Sequence, residues 1–273
     1  MIRYLVPNAI TAFGIACAVL SVQASVAGDM RMAAWWIIYC VLTDKLDGLA
    51  ARALKGSSAF GVQMDSLADL VSFGVAPATL VYAFFSHHPE LGWSDGWHGI
   101  ALRAIGLGFV ICAAARLGRF NVTTEAPGAD KMFFGTPTTF SGGIIAAIFL
   151  VLLKYGDPSW GGVTAGDWRA LGGLRLDVVM PVLPWLLAAG GIGMISTLRV
   201  PKLGRSGVRI VDVLVFGDIF ACYVFGFARR LPELLTATAL MILPIAAVYH
   251  LASKRARSVK PPRLFPPNQG SGV

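Results

Sequence analysis

Four aspartates at helical spacing are the residues of this chain best suited to chemistry. Asp44 and Asp47 are three residues apart, and Asp65 and Asp69 are four residues apart. Residues at either spacing share one face of a helix. The segment between the pairs, residues 55–58 (Lys-Gly-Ser-Ser), has the composition of a turn. The pattern therefore predicts a helix–turn–helix hairpin that brings the two carboxylate pairs together.

Four carboxylates at such short range repel one another unless a cation lies between them. The segment 44–69 contains no His or Cys, so oxygen ligands predict a hard ion: Mg²⁺, Mn²⁺ or Ca²⁺. Such an ion keeps coordination positions for phosphate oxygens, and two ions can clamp a pyrophosphate. Gly48 leaves room for a nucleotide to approach the backbone, and Arg52 can reach a phosphate oxygen.

The alternative is that these are surface acids that cap helices and pair with Lys45, Arg52 and Lys55. Acids at or near a membrane are costly and are functional candidates for that reason. Whether the four aspartates lie near a membrane depends on the helices around them, which are considered next. We therefore favour the metal site over surface acids.

The composition indicates a membrane protein. Hydrophobic residues make up 56% of the chain and charged residues 14%, whereas a soluble domain carries about 25% charged residues. This excludes a disordered chain, a coiled coil and a secreted disulfide scaffold. The net charge of +8 comes from cations in short loops between apolar runs, so we expect no nucleic-acid partner. The predicted fold class is all-α, a polytopic integral membrane helical bundle.

Stretches of about 20 mostly apolar residues predict eight transmembrane helices. They lie at residues 6–27, 32–52, 69–86, 99–115, 138–154, 178–198, 209–227 and 233–251. We predict a catalytic membrane domain at 1–198, an additional transmembrane helix pair at 199–251 and a basic, disordered cytosolic tail at 252–273.

The distribution of basic residues predicts the orientation. With a cytosolic N-terminus, most of the 23 Lys and Arg residues fall on the inner side, as the positive-inside rule requires. Tryptophans such as Trp35, Trp93 and Trp160 then fall at the outer interface. We expect a multi-pass protein of the cell inner membrane, with both termini and the aspartates facing the cytosol.

The spaced pattern D-x2-D-G-x2-A-R-x8-G-x3-D-x3-D resembles the signature of the CDP-alcohol phosphotransferase family. It matches at every fixed position: Asp44, Asp47, Gly48, Ala51, Arg52, Gly61, Asp65 and Asp69. The resemblance implies transfer of a phosphatidyl group from a CDP-linked lipid to an alcohol, with release of CMP. It also implies a homodimer embedded among membrane lipids.

The same resemblance implies roles for particular residues. Two Mg²⁺ or Mn²⁺ ions are implied, one held by Asp44, Asp47 and Asp65, the other by Asp44, Asp65 and Asp69. Asp69 is the implied general base. The CDP-lipid is expected to contact the following residues: Gly48, Arg52, Ser58 and Asn8.

Three further stretches resemble the bacterial, membrane-integral phosphatidylserine synthases of this family. They are residues 7–11, 66–77 and 116–122. The resemblance implies CDP-diacylglycerol as donor and L-serine as acceptor.

A serine acceptor carries a carboxylate, which we expect positively charged side chains to bind. Arg116 and Arg119 are three residues apart and can present two guanidinium groups together, although anchoring on the inner side alone would also explain them. Asn121 could hydrogen-bond the acceptor or cap the helix end. Residues 136–139 (Thr-Pro-Thr-Thr) depart from the pattern of those synthases. Choline, glycerol phosphate, inositol and inositol phosphate therefore stay open as acceptors.

A divalent-cation transporter is the non-enzymatic alternative. Such a protein would place its acids near the bilayer midplane, on broken helices within internal repeats. In this chain the acids cluster at the predicted cytosolic edge, and no repeat is visible. The sequence therefore favours an enzyme.

Overall fold

A computed structural model of the chain describes residues 2–56, 58–124, 132–156, 176–197, 199–201 and 209–241. These residues form a bundle of helices with one short two-stranded ribbon. The predicted all-α membrane bundle is confirmed. The predicted tail at 252–273, the end of the eighth predicted span and residues 157–175 lie outside the described residues.

The described helices follow one another along the chain. They are α1 (Ile2–Val26), α2 (Met30–Ala53), α3 (Ala59–Asp69), α4 (Ala76–His87), α5 (Gly96–Thr124), α6 (Thr138–Gly156), α7 (Leu176–Val179), α8 (Val182–Ile195) and α9 (Arg209–Phe227). Residues 232–241 are also helical. A π-helical turn (Leu70–Val75) joins α3 to α4, and a 3-10 turn (Pro89–Leu91) follows α4. Strand β1 (Met132–Phe134) pairs antiparallel with β2 (Arg199–Pro201).

Five helical segments are long and apolar enough to cross a membrane. They are Arg3–Val26, Ala59–His87, Gly96–Val122, Thr138–Tyr155 and Asp177–Ile195. They correspond to the first and the third to sixth predicted spans. The segment that corresponds to the third predicted span begins at Ala59 instead of residue 69, because the π-helical turn lets α3 continue into α4 without a break. The second, seventh and eighth spans, and the division into domains, stay predictions.

Helix α2 lies at the centre of the site-bearing part of the bundle and packs against α1 and α6. Small side chains, among them Cys17, Ala18, Ala33 and Ala34, are fully buried between α1 and α2 and let the two helices approach closely. Asp29 caps the start of α2 by accepting a hydrogen bond from the backbone N–H of Met32 at 3.0 Å.

The N-terminus of α1 and the end of α2 meet at one end of the bundle. A Cβ atom on Gly56 would lie 1.9 Å from the carbonyl oxygen of Arg3, so only glycine fits there. At the other end, His87 Nε2 lies 3.3 Å from the carbonyl oxygen of Val26. Since α2 rises about 20 Å between Met30 and Asp44, the aspartates lie at the end that carries the N-terminus. The sequence predicted the same arrangement.

Candidate active site

The predicted helix–turn–helix hairpin is confirmed. Helix α2 ends at Ala53, and Lys55 has a positive φ of 49°, which reverses the chain direction. Helix α3 begins after Ser58, whose hydroxyl oxygen accepts a hydrogen bond from the backbone N–H of Gly61 at 3.0 Å. Ser58 is therefore the N-cap of α3. The hairpin faces its two carboxylate pairs toward each other.

Three of the four aspartates form a cluster that can hold a metal ion. One carboxylate oxygen each of Asp44, Asp47 and Asp65 lies within 4.8 Å of the other two. The carboxylate of Asp69 lies beside that of Asp44. Asp69 belongs with Asp44 and Asp65 to the predicted second set of metal ligands, and that set stays a prediction.

The chemistry of this donor set fits a divalent cation. Asp47 is 7% exposed, and two carboxylates as close as those of Asp44 and Asp69 need a proton or a cation between them. Within the described ranges, salt bridges join His88 to Glu90 and Lys154 to Glu233, and none involves these four aspartates. An all-oxygen set that forms no salt bridge with a Lys or Arg side chain in the described ranges suits a hard ion such as Mg²⁺ or Mn²⁺.

Threonine hydroxyl groups hydrogen-bond three of the carboxylates. Thr11 of α1 donates to Asp47 Oδ2 at 2.8 Å. Thr139 and Thr138, at the start of α6, donate to Asp44 Oδ2 at 3.3 Å and to Asp69 Oδ2 at 3.4 Å. The sequence analysis did not assign these threonines to the site. Thr11 could have been found from its position, because it lies one helical turn after Asn8 on α1.

A cavity of about 110 Å³ opens beside the cluster. It is lined by Pro7, Asn8, Thr11, Asp47, Gly48, Ala51, Gly56, Ser58, Gly61, Val62 and Asp65. Three of the four residues predicted to contact the CDP-lipid, Asn8, Gly48 and Ser58, therefore share one cavity with two of the aspartates. A Cβ atom on Gly61 would lie 3.1 Å from Asn8 Oδ1 and 3.2 Å from Ser58 Oγ, so glycine keeps this cavity open.

Arg52, the fourth of these residues, is exposed and does not line the cavity. Its guanidinium group lies over Gly48, with Nη1 3.6 Å from the position that a Cβ atom of Gly48 would occupy. Arg52 therefore lies beside the cavity and can move toward a ligand, because its long side chain is flexible.

The two arginines predicted to bind the acceptor have different partners in the structure. Arg116 is 7% exposed, and its Nη1 donates to Thr138 Oγ1 at 3.0 Å, while its Nε has no hydrogen-bond partner among the described residues. Arg119 instead donates to the carbonyl oxygens of Met194 at 3.2 Å and Ile195 at 3.4 Å, at the end of α8. The structure thus brings Arg116 to the aspartates, while Arg119 ties α5 to α8.

Asn121 connects α5 to α3. Its Nδ2 donates to Ser66 Oγ at 3.0 Å, and Ser66 lies between Asp65 and Asp69 in the sequence. This bond fixes the distance between the end of α5 and the second aspartate pair.

The fold and this arrangement of carboxylates agree with a family assignment. A sequence profile of the CDP-alcohol phosphatidyltransferase family matches residues 4–190, which include the whole site. The chain belongs to the CDP-alcohol phosphatidyltransferase family.

Several characterised relatives are similar over part of their length. The CDP-diacylglycerol–serine O-phosphatidyltransferase of Helicobacter pylori is 35% identical over 152 residues, 56% of this chain and 60% of the relative. The enzyme of the same name from Saccharomyces cerevisiae is 33% identical over 182 residues, 63% of this chain and 59% of the relative. Archaetidylserine synthase of Methanothermobacter thermautotrophicus is 32% identical over 146 residues, 53% of this chain and 57% of the relative. The chain thus spans about 60% of the length of these relatives.

Proposed function

We propose that this protein transfers the phosphatidyl group of CDP-diacylglycerol to the hydroxyl group of L-serine, giving phosphatidylserine and CMP. The observation that carries the proposal is the placement of Arg116. Its buried guanidinium group is connected to Asp69 through Thr138, and none of these three residues lines the cavity. A donor that carries phosphates and an acceptor that carries a carboxylate thus have separate places around one cluster.

The donor binds in the cavity beside the hairpin. Gly48, Ser58 and Asn8 contact its CDP group, and Arg52 closes on a phosphate oxygen from the exposed side. Asp44, Asp47 and Asp65 would hold one Mg²⁺ or Mn²⁺ ion, and Asp44, Asp65 and Asp69 would hold a second. When bound, these cations neutralise the negative charge of the pyrophosphate.

Asp69 acts as the general base. It takes the proton of the acceptor hydroxyl group while the hydroxyl oxygen attacks the phosphorus atom that carries the diacylglycerol. The bond from that phosphorus to the bridging oxygen breaks, and CMP leaves with the electron pair. The hydrogen bond from Thr138 to Asp69 Oδ2 leaves the other carboxylate oxygen of Asp69 available to take this proton.

Arg116 binds the carboxylate of serine. Arginine has five N–H donors, and the Nε donor of Arg116 is buried without a partner in the described part of the chain. A buried donor without a partner is costly, and a ligand carboxylate would satisfy it. Arg119, which donates to the end of α8, and Asn121, which donates to Ser66, lie one turn or more beyond Arg116 on α5 and support the acceptor side from there. The names of the relatives also favour serine over choline, glycerol phosphate, inositol or inositol phosphate.

The site faces the cytosol in the cell inner membrane, with both termini on the same side, and the protein works as a homodimer among membrane lipids. This placement is supported by the excess of Lys and Arg at the end that carries the aspartates. It also matches the substrates, because a CDP-lipid must stay in the bilayer while serine and CMP dissolve in water.

The test is CMP release by the purified protein with CDP-diacylglycerol and Mg²⁺ or Mn²⁺. Serine, choline, glycerol phosphate, inositol and inositol phosphate are offered one at a time. We expect release with serine alone, loss of that release in Asp65→Asn, and a KM for serine raised at least tenfold in Arg116→Lys. Release with another acceptor would overturn the role of Arg116. Absence of release from folded protein with every acceptor would overturn the enzyme and favour cation transport.

A further inference from the structure

Thr138 and Thr139 begin helix α6 directly beside two of the four carboxylates. Thr138 is fully buried, with its hydroxyl oxygen 3.0 Å from Arg116 Nη1 and 3.4 Å from Asp69 Oδ2. The hydroxyl oxygen of Thr139 is 3.3 Å from Asp44 Oδ2. Each threonine therefore touches one aspartate, and Thr138 also touches the arginine proposed to bind the acceptor.

The donors and acceptors fix the direction of these hydrogen bonds. A guanidinium group only donates, so the oxygen of Thr138 must accept from Arg116. The hydroxyl proton of Thr138 is then left to donate to Asp69. The result is a chain from Arg116 through Thr138 to Asp69, in which one hydroxyl group sets the position of two functional side chains.

Close packing holds the start of α6 in place. A Cβ atom on Gly142 would lie 2.8 Å from the Cα atom of Phe73, within the π-helical turn that follows Asp69. A Cβ atom on Gly143 would lie 2.8 Å from Cγ2 of Val41 on α2, three residues before Asp44. Helix α6 is therefore packed against α2 and against the π-helical turn that continues α3, and this packing holds its threonines beside the aspartates.

We propose that Thr138 and Thr139 are positioning residues that orient Asp69 and Asp44 for cation binding and, in the case of Asp69, for accepting the proton of the acceptor. The inference rests on the proposed function. It follows because a carboxylate can rotate, and a hydrogen bond to one of its oxygens selects which oxygen faces the cation. Hydrogen-bond partners behind metal ligands contribute about 10- to 100-fold to metal affinity or activity.

The first experiment measures Mn²⁺ binding to the purified full-length protein without substrate, by isothermal titration or electron paramagnetic resonance. We expect Thr139→Val to weaken Mn²⁺ binding about tenfold, and Thr138→Val to weaken it to a similar or smaller extent. Thr138→Ser and Thr139→Ser keep the hydroxyl group and should remain within about threefold of wild type. Thr236→Val is the matched control, because Thr236 is also buried but donates only to the carbonyl oxygen of Pro232.

The second experiment separates the two threonines by kinetics. Thr138→Val should lower kcat about 10- to 100-fold and raise the KM for serine, because Thr138 contacts both Asp69 and Arg116. Thr139→Val should raise the Mn²⁺ concentration at half-maximal activity and leave the KM for serine unchanged. Loss of packing alone would not raise the KM for serine in one variant and the Mn²⁺ requirement in the other.

The inference is overturned if both valine variants bind Mn²⁺ within twofold of wild type. It is also overturned if the serine variants are as impaired as the valine variants, because the methyl group and not the hydroxyl group would then matter. A wild-type protein that releases no CMP with any acceptor would contradict the proposed function. The Mn²⁺ affinities would still decide whether the two threonines position the aspartates.

Discussion

Acidic side chains in two regions of the bundle have different hydrogen-bond partners. The first region is the hairpin, and the second lies around α9 and residues 232–241. In the second region Asp218 of α9 accepts hydrogen bonds from Thr238 Oγ1 at 3.0 Å to each carboxylate oxygen. Glu233 accepts from Lys154 Nζ and from the hydroxyl group of Tyr155. Each of these acids lies apart from the others and has a protein donor of its own.

The aspartates of the hairpin lie against one another instead, and threonine hydroxyl groups are the hydrogen-bond donors on three of them. Neutral hydroxyl groups orient a carboxylate without cancelling its charge. Glu233 forms a salt bridge with Lys154 and Asp218 bonds a threonine, whereas the hairpin brings three carboxylate oxygens within 4.8 Å of one another, an arrangement that can hold a cation. The predictions below test this difference.

The largest expected effect follows from Asp44→Asn. This change removes a carboxylate that both predicted cations share, so CMP release should fall by at least about three orders of magnitude. The protein should still fold, and without a cation its thermal unfolding temperature should be equal to or higher than that of wild type, because one repulsive charge is gone. CMP release and thermal unfolding in detergent measure the two outcomes. Activity within tenfold of wild type would show that Asp44 binds no essential cation.

The second-largest effect should be the change in stability when the cation is added or removed. Addition of Mn²⁺ at about 100 times its dissociation constant should stabilise the wild-type protein by about 2.7 kcal/mol, because the ion binds the folded chain alone. A chelator should reverse the stabilisation. Thermal unfolding with and without Mn²⁺ measures it, and Asp44→Asn is the control in which the shift should be absent. An equal shift in both proteins would place the cation elsewhere.

Glu233→Gln should have a smaller effect, and on stability instead of activity. The change weakens the contacts with Lys154 and Tyr155 and should cost about 1 kcal/mol of the free energy of unfolding. CMP release should stay within twofold of wild type. Thermal unfolding of Glu233→Gln, Lys154→Gln and the double variant checks the coupling. A loss of CMP release as large as that of Asp44→Asn would contradict the division into two regions.

The smallest effect is expected for Asp218→Asn. The amide oxygen of asparagine can still accept from Thr238, so the free energy of unfolding should change by less than about 0.5 kcal/mol. CMP release should not change, even though an acidic residue within a helix has been neutralised. Both are measured beside Asp44→Asn, which removes the same charge from the other region. A large loss of CMP release would assign Asp218 to the site.

Local patterns in the sequence were sufficient to predict the hairpin but not the contacts of the residues around it. Spacings of three and four residues and a turn of Lys, Gly and Ser predicted α2, the turn and α3, because all three depend on neighbouring residues. The same kind of reasoning placed Arg116 and Arg119 together. In the structure the end of α8 lies against Arg119 and takes its N–H groups, which spacing along α5 could not reveal.

The start of the third span shows a second limit of local patterns. The polar side chains of Asp65 and Asp69 lower the hydropathy there, so the predicted span began at residue 69. The structure continues the helix from Ala59 to His87 through the π-helical turn. The helix is set by packing as well as hydropathy, because Phe73 is buried against Gly142 of α6.

The sequence alone determined the four carboxylates, their pairing on two helical faces and the membrane setting, since residue type, spacing and hydropathy are properties of the chain itself. Only the tertiary structure decided which groups stand behind the carboxylates. Thr138 and Asp69 are 69 residues apart in the chain, and Thr139 and Asp44 are 95 apart. Contacts over such separations depend on how closely α6 packs against α2 and the π-helical turn, which no local pattern encodes.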